Sequence, residues 1–141
     1  MLTAVNANAV REYCLKSDKG VEKTIFLIGV LDAFTRAHIR DSATSYVATK
    51  DEEGGDVKAK AQVNVAAMEI ETVRFGLRGW KNFTGEAGTQ VQCLAEMRPT
   101  PAGPRKGLTD ESLMLLHPAW ISELAEEINS ANNLSETDVK N

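Results

Sequence analysis

Ala61-Gln62-Val63-Asn64-Val65-Ala66-Ala67-Met68-Glu69-Ile70-Glu71-Thr72-Val73-Arg74-Phe75-Gly76-Leu77-Arg78-Gly79-Trp80 is the stretch whose reading decides the fold. Val63, Ala66, Ile70, Val73, Leu77 and Trp80 recur at alternating steps of three and four, which makes one continuous stripe on a helix. Glu69, Glu71, Arg74, Arg78 and Lys81 lie off that stripe and are expected in water. The spacing predicts a long amphipathic helix that runs into the tail Gly79-Trp80-Lys81-Asn82-Phe83-Thr84-Gly85-Glu86-Ala87-Gly88. Gly76 and Gly79 each cost about 1 kcal/mol relative to Ala in a helix, so they weaken its last turn or admit another backbone. At about three heptads the stripe is a spine for packing rather than a coiled-coil strand. Nothing in it carries chemistry.

Toward the N-terminus, the apolar, β-branched run Thr24 to Leu31 reads as a strand. It pairs as a hairpin with Glu12 to Lys16 across the turn Ser17-Asp18-Lys19-Gly20. Asp32 caps a helix from Ala33 that is expected to reach about Val47. Lys50-Asp51-Glu52-Glu53-Gly54-Gly55-Asp56 is charged, glycine-bearing and without an apolar anchor, so it reads as a mobile loop. Toward the C-terminus, Gln90 to Met97 reads as a short extended piece, and the prolines at 99, 101 and 104 as an extended linker. Thr109 caps a short helix, Pro118 opens another, and Asn132-Asn133 ends it. The expected fold is mainly α with a small N-terminal β-hairpin (α+β), a compact helical single domain over 1–141. It carries a loose N-terminus at 1–10, a flexible acidic loop at 48–60 and a Pro-rich linker at 98–108 before the C-terminal helices.

Composition narrows the function. A length of 141 residues with 43% hydrophobic content suits one core, and a net charge of −4 argues against nucleic acid. No apolar run approaches the roughly twenty residues that span a bilayer, and no signal peptide opens the chain, so a soluble, cytoplasmic protein is expected. Cys14 and Cys93 read as lone small hydrophobes of a reducing compartment. Glu123, Glu126 and Glu127 read as the wet side of the last helix, and Asp51, Glu52, Glu53 and Asp56 lack the ligand spacing of a calcium loop. His38 and His117 accompany no nucleophile elbow or helix-start cysteine. The expectation is a binding protein with no catalytic residue, metal or cofactor. Trp80 and Phe83 read as core anchors. The expected client or self-association surface, beyond the linker, draws on Trp120, Leu124 and Ile128 of the last helix together with Leu113 and Leu116 of the short helix before it.

Two segments carry a family resemblance. Gly79-Trp80-Lys81-Asn82-Phe83 followed by Gly85-Glu86-Ala87-Gly88 resembles a turn of the tail assembly chaperones of bacteriophages with long non-contractile tails. The close Asn133-Leu134-Ser135-Glu136-Thr137-Asp138-Val139-Lys140-Asn141, after the helix Glu123 to Ile128, is similar to the close of the same proteins. The Phe34 to Arg40 helix start and the long middle helix fit in order, while the Gly54-Gly55 loop and the proline segment depart from the pattern. The resemblance implies a small, helical, non-enzymatic protein of the host cell cytoplasm that is missing from the finished virion. Its implied partners are the tape measure protein, which it keeps soluble, and the tail tube protein that polymerises around it. A structural head–tail joining or minor tail protein is the alternative.

Overall fold

Of the 141 residues, the computed structural model describes 1–50, 55 and 57–132. Residues 1–9 are exposed throughout. Strands β1 (Val10–Tyr13) and β2 (Ile25–Gly29) pair antiparallel with Tyr13 opposite Phe26, so the N-terminal hairpin is present. Period-two alternation sends Phe26 and Ile28 of β2 inward. Asp32 then caps α1 (Ala33–Ala43) by accepting the Thr35 N–H at 2.7 Å.

Here the chain leaves the expected path. Helix α1 stops at Ala43 rather than near Val47, because Thr44-Ser45-Tyr46-Val47 is β-branched and aromatic and continues as β3 (Thr44–Lys50). Its partner is β4 (Val57–Val63), antiparallel, with Tyr46 opposite Ala61. Most of the span 48–60, expected as a flexible loop, is therefore the two arms of a hairpin, and residues 51–54 and 56 lie outside the described residues.

The middle helix is shorter than its stripe. Asn64 caps α2 (Val65–Gly76) by accepting the Ala67 N–H at 3.1 Å, and Leu77–Lys81 is not helix but strand β5, paired with β2. The stripe joined residues of three successive elements: Val63 belongs to β4, and Leu77 and Trp80 to β5. Inside α2 the buried positions are the last ones, 72–76, and Ile70 is exposed. Gly76 explains the change. A Cβ there would stand 2.6 Å from the Ile128 side chain, so the helix end is a contact point for another element.

The proline segment is also structured. Strands β6 (Ala95–Arg98) and β7 (Arg105–Leu108) form a hairpin, and the prolines occupy its turn, where no ladder hydrogen bond is asked of them. A Gly103 N–H to Thr100 carbonyl bond of 3.0 Å closes that turn, with Gly103 at φ 109°. Then come α3 (Asp110–Met114), capped by Thr109, and α4 (Pro118–Asn132), opened by Pro118 as expected.

The described residues thus form four helices and seven strands in three small antiparallel sheets, β1-β2-β5, β3-β4 and β6-β7. This is a mixed α and β architecture, not the mainly α fold expected. Helix α2 packs against α1, α4 and β7. Around it, Phe26, Val73, Phe75, Leu108, Leu124 and Ile128 make the centre of the core.

Candidate functional site

The residues expected to contact a partner are mostly interior. Leu124 and Ile128 are 0% exposed, Leu116 4% and Leu113 5%, so four of the five belong to the core. Trp120 is half-buried, with its ring 6.2 Å from that of Phe83. The apolar face of α4 closes against α2, and the segment expected to free it is the β6–β7 hairpin, which is itself packed near α2. The face is not available as a surface in this fold. That expectation is corrected.

The polar side of α4 holds it in place. Glu123 accepts the Tyr13 hydroxyl at 2.6 Å and the Lys16 N–H at 2.9 Å, while Arg11 reaches Glu127 at 2.9 Å. Ser122 donates to Glu69 at 2.7 Å. Burial raises the affinity of the Glu123 carboxyl for its proton, but the bonds from Tyr13 and Lys16 and the Lys16 charge outweigh it, leaving the group below its ordinary value. Burial first, then the Glu123 contact, pushes the Tyr13 phenol up. Glu123 and Glu127 are tethers to the N-terminal hairpin rather than a wet face.

Arg74, placed in water by the stripe, is 6% exposed. Its guanidinium donates to the Leu108 carbonyl at 2.8 Å, to Asp110 at 2.6 Å and to Glu71 at 3.1 Å. Desolvation works against its charge, yet Asp110 and Glu71 together hold its proton more tightly than usual. The side chain clamps α2 to β7 and the start of α3. No sequence signal marked it, since Leu108 and Asp110 lie 34 and 36 residues away.

The motif behind the family resemblance is also architectural. Asn82, at φ 57°, turns the chain out of β5 in the left-handed conformation that Asn tolerates. The following loop is held by a Thr84–Gln90 bridge and by Gly85 N–H to the Thr89 carbonyl at 3.0 Å. Trp80 and Phe83, half-buried, meet edge-on at 5.0 Å over Phe26, and the Trp80 indole donates to the Val91 carbonyl at 2.9 Å. Elsewhere, Cys93 is held up to about 11 by burial, so its thiol stays protonated at neutral pH. His117 accepts the Ala119 N–H at the start of α4, and His38 packs edge-on against Phe75. Among the described residues, no three His, Cys, Asp or Glu side chains are grouped to hold a metal ion. No helix among them is long and apolar enough to cross a membrane.

No protein-family model matches the chain, nor does any curated protein or solved structure.

What the sequence reading missed is the β3–β4 arm. Every residue of β4 is exposed, Val57 at 70%, and Tyr46 of β3 is 74% exposed. Residues directly opposite in an antiparallel pair share a face. The register therefore puts Thr44, Tyr46 and Ala48 on one side together with Val57, Ala59, Ala61 and Val63. The other side carries Ser45, Val47, Lys60 and Gln62. The strands pack on each other, and no other element packs broadly on them among the described residues. A two-stranded hairpin is marginal alone in water, so an arm with one bare apolar face and two open edges is built to be covered. The signal was the alternation in Val57-Lys58-Ala59-Lys60-Ala61-Gln62-Val63, overshadowed by the neighbouring glycines and charges.

Proposed function

We propose that this chain is a tail assembly chaperone of a long-tailed bacteriophage, acting in the host cytoplasm. It binds the tape measure protein, keeps it soluble while tail tube subunits assemble, and does not remain in the virion. The observation that carries this reading is the exposed apolar face of the β3–β4 arm. It is joined by the resemblance in Gly79 to Gly88, whose residues build a defined turn here. A holdase acts by mass action, covering client surface so that association with itself outcompetes aggregation. That task needs an adhesive apolar face and no catalytic group. The contact element is the arm, and its open edges suit extended client segments by strand addition.

The test is co-expression of the tape measure protein with the wild-type chain and with a Tyr46→Ser, Val57→Ser, Val63→Ser variant. Soluble client is expected with the wild type and lost with the variant, while the variant's own circular dichroism stays unchanged. Client that precipitates equally with and without the wild type would sink the reading. The open edges of the arm also favour a second reading, a head–tail joining or minor tail protein that uses the arm to join ring neighbours. Mass spectrometry of purified virions separates the two, because a ring component is found there and a chaperone is not.

A further inference from the structure

On the body of the molecule, the turn after β1 and the start of β2 meet the loop after β5 and the first turn of α4 around a hollow of about 330 Å³. Leu15 and Phe26, both buried, line its base, and Phe83 and Trp120, both half-buried, line its sides. The Phe83 and Trp120 rings stand 6.2 Å apart at 68° to one another, so they make the corner of a box. Asp18 borders the same hollow. Its Oδ2 accepts the Thr24 N–H at 2.8 Å, and its own N–H donates to the Leu15 carbonyl at 3.1 Å, which fixes the carboxylate in place. Oδ1 accepts no hydrogen bond among the described residues. Lys16, Lys19 and Lys23 are close in sequence, yet among the described residues none forms an ion pair with Asp18.

We propose that this hollow is a binding site for a lysine side chain of a partner protein. Aromatic faces are electron-rich and the carboxylate is negative, so a cation placed between them satisfies both. An anion is repelled by both. A purely apolar group strips water from the Asp18 carboxylate and leaves it without a partner. The acceptor favours ammonium over guanidinium. A guanidinium forks onto two carboxylate oxygens, whereas an ammonium is a point charge that one oxygen meets. With Oδ2 held by Thr24, one oxygen of Asp18 is open. The apolar stem of the lysine is then covered by Leu15 and Phe26. A volume at the low end of the roughly 300–1,000 Å³ of ligand pockets suits one side chain rather than a cofactor. The exposed Ser17 and Thr84 at the rim offer hydroxyls to the backbone that carries the lysine, which a free amine lacks. None of the lining residues belongs to the β3–β4 arm, so the site does not depend on what the arm binds.

Titration of the isotope-labelled chain with acetyl-Ala-Lys-Ala-amide, followed by NMR, tests this. Saturable shifts are expected for the Trp120 indole and for the amides of Asp18, Thr24 and Thr84. Nuclear Overhauser contacts should join the lysine ε-methylene to the Phe83 and Trp120 rings. The norleucine peptide, which lacks the charge, and free n-butylammonium, which lacks the backbone, should each bind about tenfold more weakly. Asp18→Asn keeps the Thr24 bond through its carbonyl oxygen. It should weaken the lysine peptide about tenfold and leave the norleucine peptide unchanged. Equal binding of the lysine and norleucine peptides would mean an apolar hollow only and overturns the proposal. So does equal binding of n-butylammonium, which would mean a site for free amines, or tighter binding of the matching arginine peptide. Undiminished binding to Asp18→Asn, contacts to other rings, or no saturable shift at these residues overturns it as well.

Discussion

Leu124 and Ile128 of α4 and Tyr46 and Val57 of the arm are all bulky and apolar, yet the first two are sealed and the last two are nearly bare. The difference lies not in the residues but in what faces them. Helix α4 meets a glycine at the end of α2, where Ile128 fits into the space a Cβ would fill, and is tied down by Tyr13, Lys16 and Arg11. Among the described residues, no other element packs broadly on the arm. Apolar pattern locates a face that needs covering. Whether the cover comes from within the chain depends on distant residues.

Substitutions should break this contrast in graded fashion. Leu124→Ala empties a fully buried site and should cost about 2–5 kcal/mol, and Leu124→Asp should prevent folding; urea melts followed by Trp fluorescence measure both. Arg74→Ala removes a buried stem and the donors serving Leu108 and Asp110, so a loss of about 2–3 kcal/mol is expected in the same assay. Glu123→Gln has a smaller effect that depends on pH. The Glu123 carboxyl lies below its ordinary value in the fold, so its contribution is present above the unfolded value of about 4.3 and is lost as pH falls through the folded value. Wild type should therefore lose stability more steeply than Glu123→Gln between about pH 5 and 3, in melts at matched ionic strength. Tyr46→Ser, on the bare arm, should move stability by no more than about 0.5 kcal/mol. A large loss there would mean that the arm is covered after all, and the contrast would collapse.

Much of the local structure was legible in the chain. Asp32, Thr109 and Pro118 start helices where their side chains and ring geometry say they should, and Phe26 and Ile28 point inward from a strand. The errors came where a local pattern had two physical readings. Three-and-four spacing across Val63, Val73 and Trp80 is helical only if one helix contains them all, and strand pairing of Val63 with β3 and of Trp80 with β2 divided them. Prolines at 99, 101 and 104 suit a linker and suit a hairpin turn equally well; only the pairing of Arg98 with Arg105 decides. Arg74 was unreadable because its partners are far away in sequence. The candidate site failed for the same reason: the cover over α4 is assembled from β1, the loop after it and α2, and no local window contains it.

The arm leaves the body after Ala43 and returns at Asn64, and the Asn64 N–H bonds the Ala43 carbonyl at 2.8 Å. Its two ends are thus already joined, as in a cassette plugged into a closed socket. A short bridge from 43 to 64 in place of the hairpin keeps the Asn64 cap of α2 and every core position of the body, and replaces only the Thr44 cap of α1. Such an insert can differ in length and sequence without touching the core of the body.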